Sequence, residues 1–327
     1  MQNQESKVNN LVVSQSPHIQ IEGDHIVKRM WATVAAIIPA GLAGVYIFGL
    51  YSLQLILVSV VTALICEAVF QKVAHKKNTI LDGSALITGL LLAYNLPPGA
   101  PLWMAAAGSF FSVVIAKQLF GGLGFNIFNP ALAGRAFLMA SWPKYMTTWS
   151  NPRWQVDAVT QATPLGILKE KLPFDLPSYW DMFIGNRGGC IGEVCIVALL
   201  IGGIYLLYKR YISWQIPVYY LLTVAVLSFI LMGDKFFTGD ILFSLLSGGL
   251  VLGAFFMATD YVSAPISTKG KTIFAIGCGL LTVVIRKWGG YPEGVSYAIL
   301  MMNAATPIID RFSRPKKYGL QKRRGAK

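Results

Sequence analysis

The chain has 327 residues, of which 54% are hydrophobic and only 13% charged, and its formal net charge is +13. A water-soluble domain has about twice that charged fraction, so the composition excludes an ordinary soluble protein and indicates an integral membrane protein. The basic residues cluster at the ends of apolar runs, which is typical of membrane topology, and we expect no nucleic-acid partner.

The predicted elements begin with a polar arm at residues 1–29, which has neither the apolar region nor the cleavage site of a signal peptide. Ten apolar segments follow, each near the roughly 20 residues that a helix needs to cross a bilayer. They lie at residues 30–48, 52–71, 79–96, 102–119, 125–141, 190–208, 213–232, 238–258, 271–286 and 291–309. The fold class is therefore all-α integral membrane, with about ten transmembrane helices.

The third and fifth segments contain polar residues that an uninterrupted lipid-facing helix does not tolerate. These residues are Asp82, Asn95, Asn126, Asn129 and Arg135. Broken helices occur at membrane depth where they line a cavity rather than lipid. We therefore expect some helices to be broken.

The basic residues also predict the orientation. If the N-terminus is cytoplasmic, 19 Lys and Arg residues lie in inside segments, eight lie outside, and Arg135 lies within a span. Cytoplasmic segments carry the excess of positive charge, so both termini are expected inside and the loop at residues 142–189 outside. The basic tail at residues 311–327 then faces the anionic lipid of the cytoplasmic leaflet. Arg286 and Lys287, on the outside, oppose this assignment.

The two halves of the chain resemble each other. "TILDGSALITGLLLAYNLPP" (residues 79–98) is similar to "TGDILFSLLSGGLVLGAFFMATD" (238–260), and "GGLGFNIFNPALAGR" (121–135) to "GGYPEGVSYAILMMNAATPIIDR" (289–311). Two halves of five spans each must have opposite orientations. Residues 30–141 and 190–310 are thus predicted to be inverted membrane repeats, which place sites at their interface. Membrane helices rich in small residues also look alike without being repeats.

The outside loop contains the stretch "DAVTQATPLGIL", residues 157–168. Its Thr-Pro step predicts a short helix with Thr163 as N-cap and Pro164 as first residue. The loop is the longest polar interruption between the predicted spans.

The cysteines and histidines predict no metal, cluster or haem site. The four cysteines form no C-x-x-C pair, and the three histidines lie in terminal or loop stretches. Cys190 and Cys195, five residues apart, have poor spacing for shared ligation. We expect no metal and no catalytic residue in this chain, so electrons or substrates would have to come from partner subunits.

"DGSALITGLLLAYNLPP", "GGLGFNIFNPALAGRAF" and "DAVTQATPL" together resemble the NqrB/RnfD family, the flavin-carrying membrane subunits of ion-pumping redox complexes. The resemblance extends over residues 28–311, and the short N-terminus is similar to that of the Rnf-type members. It implies a translocase subunit of the bacterial cytoplasmic membrane. Such a subunit relays electrons between ferredoxin and NAD, through other subunits, and couples this relay to Na⁺ or H⁺ movement.

The resemblance also implies the partners of the chain. They are the other subunits of a Rnf-type complex, a flavin transferase for maturation, and membrane lipid. The implied subunits are the flavin-bearing G subunit, the C and B subunits, and the A and E membrane subunits.

The resemblance implies that FMN is esterified through its phosphate to Thr163. The family motif is Asp, two residues, Ser or Thr, usually Gly, then Ala-Thr. Asp157, Thr160, Ala162 and Thr163 match it, whereas Gln161 stands at the usual glycine. A phosphodiester at this position would lie at the N-terminus of the predicted helix, where free N–H groups favour an anion.

A second, non-covalent riboflavin is implied near "FNIFNP". Asn126 and Asn129 are three apart and are expected on one helix face, where amide groups suit the pyrimidine edge of a flavin. The alternative is that both asparagines cap a helix that Pro130 breaks.

Three acidic residues are candidates for an ion path. A carboxylate within a span is a functional candidate by default, and Glu67, Asp260 and Asp310 are all placed at the cytoplasmic side. The resemblance links acids at matching positions to cation entry. The alternative is that Asp260 and Asp310 pair with basic residues at the membrane edge. Asp82 and Asp240, at the starts of repeat-related helices, are weaker candidates.

Two other functions remain open at this point. Inverted five-helix halves also build solute transporters and channels, and a scaffold subunit needs no chemistry at all. Thr163 in its motif separates the redox subunit from both, because neither a pore nor a scaffold needs a flavin acceptor.

Overall fold

A computed structural model of the chain describes residues 11–13, 19–21, 26–76, 78–150, 152–154, 163–170, 173, 176–233 and 235–313. Two short strands come first, β1 (Leu11–Val13) and β2 (Ile19–Ile21), and they pair antiparallel with Leu11 opposite Ile21. All other regular elements in the described part of the chain are helices. Asp157, Thr160 and Ala162 lie outside the described residues.

The first half of the membrane region contains five helices. They are α1 (Ile26–Phe48), α2 (Leu50–Val73), α3 (Ser84–Tyr94), α4 (Leu102–Phe110), which continues as a π-helix (Phe111–Gln118), and α5 (Pro130–Ser141). A 3₁₀ turn (Ile80–Asp82) precedes α3. Asp82 Oδ1 accepts a hydrogen bond from the backbone N–H of Ser84, at 2.7 Å, and so stabilises the start of α3.

Three short helices follow in the predicted outside loop. They are α6 (Pro143–Met146), α7 (Pro164–Glu170) and α8 (Tyr179–Ile184). Ser178 caps α8 by accepting a hydrogen bond from Asp181 N, and Gly185 ends it in a left-handed conformation.

The second half repeats the helical content of the first. It consists of α9 (Ile196–Tyr208), α10 (Gln215–Leu231), α11 (Ile241–Leu246), α12 (Leu250–Leu252), which continues as a π-helix (Gly253–Met257), α13 (Thr268–Trp288) and α14 (Val295–Ser313). Asp240 caps α11, accepting from Phe243 N at 2.9 Å.

Helix α2 shows why the protein needs a membrane. Its exposed side carries apolar side chains about every four residues, whereas four of its seven buried residues are polar. The exposed residues include Leu53, Leu57, Val61, Ile65 and Val69, and the buried ones Ser52, Ser59, Glu67 and Gln71. This is the reverse of a water-soluble helix. The apolar stripe therefore faces lipid.

Among the described residues, three helices are long and apolar enough to cross a bilayer: α1, α2 and α13. Four shorter apolar helices accompany them, at Ser84–Tyr94, Leu102–Gln118, Ile196–Tyr208 and Gln215–Leu231. The chain is a multi-pass helical membrane protein.

The predicted interruptions of the third and fifth segments are confirmed, because α3 starts only at Ser84 and α5 only at Pro130. The segment at 238–258 is also broken, which the sequence pattern did not predict. The break lies between α11 and α12, where Gly248 adopts φ = +65°, a left-handed conformation that favours glycine.

Three basic residues that are counted among the inside or outside charges are buried in the protein, so this part of the count is wrong. Arg286 lies within α13, Lys117 lies at the end of the π-helix after α4, and Arg187 lies before α9; each is at most 3% exposed. Without them, 18 basic residues remain inside and six outside. The positive-inside bias becomes stronger, because Arg286 was part of the evidence against it.

The two halves meet through closely packed small residues. At Gly202 of α9, an added Cβ would lie 2.0 Å from the carbonyl oxygen of Ala36 in α1. Helices α5 and α14 also contact each other. The interface between the halves therefore runs through the centre of the described core.

Candidate functional site

Thr163 caps α7, as the Thr-Pro step predicted. Its Oγ1 accepts a hydrogen bond from the backbone N–H of Gly166 at 3.1 Å, and its carbonyl oxygen accepts from Ile167 N at 2.9 Å. The residue is only 2% exposed. The hydroxyl is therefore nearly closed to solvent.

Helix α7 is attached to the membrane domain at both ends. Leu165 packs with Met182 of α8 and Phe243 of α11. The Lys169 ammonium donates to the carbonyl oxygens of Ile285, Gly289 and Tyr291, at the C-terminal end of α13. Burial lowers the pKa of Lys169, although Glu170 opposes this shift. These contacts fix the position of Thr163 relative to α11 and α13.

A pocket that is partly open to solvent lies between the two halves, and its enclosed volume is about 70 Å³. Its walls are mainly apolar and aromatic, and several polar side chains converge on it. The apolar residues include Leu91, Leu206, Ile212, Phe255 and Phe256, and the polar ones include Ser84, Lys117, Asn126, Asn129 and Asp260.

Asn126 and Asn129 both line this pocket, but they do not share a helix face. Asn126 lies in the non-helical stretch before α5, so the predicted helix face is wrong. Asn129 caps α5, accepting from Ala131 N and Leu132 N at 3.1 and 3.3 Å. Its amide also donates to Met257 O across the interface, at 3.2 Å. The alternative role, capping of a broken helix, is the one that Asn129 has.

Glu67 is fully partnered inside the protein. Lys117 Nζ is 3.0 and 2.9 Å from its two carboxylate oxygens, and Gln71, Gln118 and Thr79 donate further hydrogen bonds to Oε1. Lys117 also donates to Ser84 Oγ at 2.6 Å and lines the pocket. Glu67 is therefore one half of a buried ion pair beside the pocket, and a cation would have to displace Lys117 to reach it.

Asp260 and Asp310 are separated in the structure. Asp260 lines the pocket, hydrogen-bonds Ser263 Oγ at 2.9 Å and also interacts with Asn126. Burial raises the pKa of the Asp260 carboxyl, and these hydrogen bonds oppose the shift. Asp310 accepts from Ile266 N at 3.1 Å, outside the pocket lining. The pocket thus brings Asp260 close to the Glu67–Lys117 pair, but not Asp310.

A second polar centre, which the sequence pattern did not predict, lies where the halves meet. Arg135 of α5 binds Glu293 Oε2, and its other amino group donates to Asn95 Oδ1 and Ser296 Oγ, both at 2.9 Å. Cys190, Glu193 and Glu293 offer ligand atoms that lie within 4.8 Å of one another. We call Arg135, Cys190, Glu193 and Glu293, with Arg187 and Arg286, the charge cluster.

The charge cluster is nearly closed to solvent, yet several of its polar atoms have no partner among the described residues. Arg286 donates to the carbonyl oxygens of Ser244 and Ser247, at 2.7 and 3.0 Å. Arg187 reaches only the Glu193 carbonyl oxygen, at 3.4 Å. The unpartnered atoms are Arg187 Nε and Nη1, Arg286 Nε, Glu193 Oε2 and Glu293 Oε1.

Comparison with known proteins identifies the family of the chain. The model of the NQR2, RnfD, RnfE family matches residues 12–319. The chain belongs to the NQR2, RnfD, RnfE family.

Relatives within the family match the chain over nearly its whole length. The D subunit of a proton-translocating ferredoxin:NAD(+) oxidoreductase complex of Clostridium ljungdahlii is 49% identical, covering 97% of this chain and 98% of the relative. The D subunit of a Na(+)-translocating ferredoxin:NAD(+) oxidoreductase complex of Acetobacterium woodii is 50% identical, with 96% of each covered. The D subunit of an ion-translocating oxidoreductase complex of Stutzerimonas stutzeri is 42% identical, with 87% and 89% covered.

Two similar stretches of the sequence indicate the charge cluster. "GGCIGEV" (residues 188–194) and "GGYPEGV" (289–295) each place a glutamate after a Gly-Gly pair at the start of a predicted span. Ionisable residues at such depth are functional candidates. Counting Arg187 and Arg286 as loop charges concealed the cations that accompany these glutamates.

Proposed function

We propose that the chain is the membrane flavoprotein subunit of a Rnf-type complex, an ion-translocating ferredoxin:NAD oxidoreductase. Its near full-length likeness to the D subunits of such complexes supports this assignment. Electrons reach and leave it through partner subunits: the G, C and B subunits and the A and E membrane subunits. The cytoplasmic membrane, with both termini inside, is the proposed location.

FMN attached to Thr163 is the feature on which the proposed function depends most. The Thr163 Oγ1 lies at the N-terminus of α7 and accepts from Gly166 N, so the same end of the helix offers N–H donors to a phosphodiester. A bound flavin would supply one- and two-electron transfer. Because Thr163 is 2% exposed, a flavin transferase must act before this segment packs onto α11 and α13.

The pocket between the halves is the proposed riboflavin site. Phe255 and Phe256 offer aromatic walls, and Asn126 offers hydrogen bonding to a ring edge. Asn129 contributes through the position of α5 that it caps, since its amide is occupied by Met257 O and the helix N-terminus.

The inverted-repeat architecture, with ten spans, is part of the same proposal. The packing pattern supports it: α2 packs on α4 as α10 packs on α13, and α4 packs on α5 as α13 packs on α14. The equivalent helices α1 and α9 contact each other, as do α5 and α14, which is expected close to a pseudo-two-fold axis. The pocket and the charge cluster then lie at the repeat interface, on opposite sides of the membrane.

The proposed cation path starts at the pocket. The Glu67–Lys117 pair and Asp260 border it, whereas Asp310 is assigned a structural role at the start of α13. The nearly equal identity to a proton-translocating and a Na(+)-translocating relative leaves both ions as candidates. A solute transporter without redox chemistry is the alternative function, and it predicts no flavin at Thr163.

Fluorescence in a denaturing gel tests the proposed function directly. The chain is expressed with the flavin transferase as wild type, Thr163→Ala and Thr163→Ser. We expect fluorescence at the protein band for wild type and Thr163→Ser, because each retains a hydroxyl, and none for Thr163→Ala. A dark wild-type band would favour the transporter.

A further inference from the structure

The carboxyl groups of Glu193 and Glu293 lie side by side in the charge cluster. They are 2% and 9% exposed, and they come from the segment before α9 and the link before α14. Two carboxylates this close cannot both stay ionised in a buried site unless each has a cation bound to it. The cations around them therefore decide their charge.

The three arginines of the cluster differ in their contacts with the two glutamates. Arg135 binds Glu293 Oε2 directly. Arg286 donates hydrogen bonds to the carbonyl oxygens at the C-terminal end of α11, which carry partial negative charge. Arg187 contacts only the backbone of Glu193. Glu293 thus has a bound guanidinium, whereas the Glu193 carboxylate has none among the described residues.

The Glu193 carboxyl accepts one hydrogen bond, from Cys190 N to Oε1 at 3.0 Å, and its Oε2 has no partner among the described residues. Gly249 leaves space for this oxygen, since a Cβ at that position would be 2.8 Å away from it. Oε1 of the neighbouring Glu293 is also unpartnered in the described part of the chain. A proton on Glu193 Oε2 would therefore occupy a position without another partner among the described residues, in a carboxyl group that has an oxygen within 4.8 Å of a Glu293 oxygen.

We propose that Glu193 is a proton-binding carboxyl group that shares its proton with Glu293 at the interface of the two halves. A hydronium ion gives the proton to Oε2: one O–H bond of the ion breaks, one O–H bond forms on the carboxyl group, and the ion becomes water. A small cavity with space for about one water molecule lies on the Glu293 side of the pair and is lined by Arg135, Glu293, Ser296 and Tyr297. A divalent cation is disfavoured here, because the guanidinium groups of the cluster repel it.

The charged and titratable groups that surround the proposed proton all belong to the charge cluster. They are Arg135, Arg187, Arg286, Cys190 and Glu293. The proton site itself is independent of any flavin. Its use in translocation, as a site on the extracytoplasmic side, rests on the proposed function.

Infrared difference spectroscopy of the purified full-length chain in lipid nanodiscs tests the site, because a protonated carboxyl has a C=O stretching band that shifts in D₂O. The chain is prepared with Thr163→Ala, so that no flavin attached there absorbs nearby. We expect a pH-dependent, D₂O-sensitive band. It should be lost in Glu193→Gln and displaced in Glu193→Asp, which keeps a carboxyl group. Glu170→Gln, a change at an exposed glutamate of α7, should retain it.

Three results would overturn the proposal: no such band in the starting protein, an unchanged band in Glu193→Gln, or a band that responds to Na⁺ at constant pH instead of to pH. None of these outcomes involves electron transfer. The proton site can therefore fail while the proposed function stands, and the reverse is also true.

Discussion

At the scale of single residues, Thr163 combines a structural and a proposed chemical role in one oxygen atom. The hydroxyl that accepts from Gly166 N is the one that the family motif designates for FMN. Removing the cap of a helix costs about 1 kcal/mol. A loss of flavin in a Thr163 variant must therefore be separated from a loss of local stability.

Thr163→Ala should lower the stability of the flavin-free chain by about 1 kcal/mol, whereas Thr163→Ser, which keeps the capping oxygen, should be nearly neutral. Thermal unfolding of both variants, produced without the flavin transferase, measures the difference. Equal destabilisation of the two variants would mean that the methyl group of Thr163, rather than its hydroxyl, stabilises α7.

The Glu67–Lys117 pair should show strong energetic coupling. Removing one partner of a buried ion pair leaves an uncompensated charge and costs about 3–5 kcal/mol, so Glu67→Gln and Lys117→Met should each be strongly destabilising. The double variant should cost clearly less than the sum of the two. Unfolding in detergent gives the three values, with Glu170→Gln as a neutral control. Additive values would show that the two charges are independent.

Individual site residues were predictable only where the local sequence determines the contact. The Thr163 cap follows from a Thr-Pro step, and the role of Asn129 follows from Pro130 beside it. The ion-pair partner of Glu67 could not be predicted from the local sequence, because Lys117 is 50 positions away and lies at the end of an apolar run. Glu193 and Glu293 are 100 positions apart, and only the packing of the two halves brings them together.

At the scale of the elements, the broken helices position the sites. The polar residues in the third and fifth segments indicated the breaks before α3 and α5. The break between α11 and α12 was missed, because "LLSGGLVLG" reads as a continuous small-residue helix. Gly248 makes this break, and its neighbours explain why: Leu165 of α7 and Arg286 of the charge cluster both lie against it.

Gly248→Ala should therefore destabilise the protein and disturb α7, whereas Gly290→Ala should not. The added Cβ at Gly248 would be 3.0 Å from Leu165 Cδ1 and would force alanine to φ = +65°, which costs about 1 kcal/mol or more. At Gly290 nothing lies within 4 Å. Proteolysis of the loop and thermal unfolding compare the two variants. Equal behaviour would exclude Gly248 as the anchor between α7 and the membrane domain.

At the scale of the whole molecule, the excess of basic residues in the predicted inside segments becomes more pronounced when the buried basic residues are left out of the count. This excess is what predicts the orientation. The same burial explains why the ninth segment was uncertain from sequence, since Arg286 is a core residue of α13 and not an outside charge. The proposed repeat rests on a sequence likeness in which Asp82 and Asp240 precede α3 and α11 and accept hydrogen bonds from backbone N–H groups there.

Cysteine labelling tests the orientation. Lys144→Cys in α6 should react with a membrane-impermeant thiol reagent added to intact cells, and Lys76→Cys should react only after permeabilisation. Both positions are exposed, and Cys190 and Cys278 are buried. The wild-type protein corrects for any reaction of Cys66 and Cys195. The reverse labelling pattern would place the Thr163 loop in the cytoplasm and contradict the proposed topology.

The central claim is that this chain carries a covalent flavin on Thr163, and mass spectrometry of one peptide tests it most directly. Trypsin releases residues 154–169, which contain Thr160 and Thr163, from the chain purified after expression with its flavin transferase. Fragmentation should locate a flavin mononucleotide on Thr163, with Thr160 unmodified. An unmodified peptide, or a flavin on Thr160, would contradict the account.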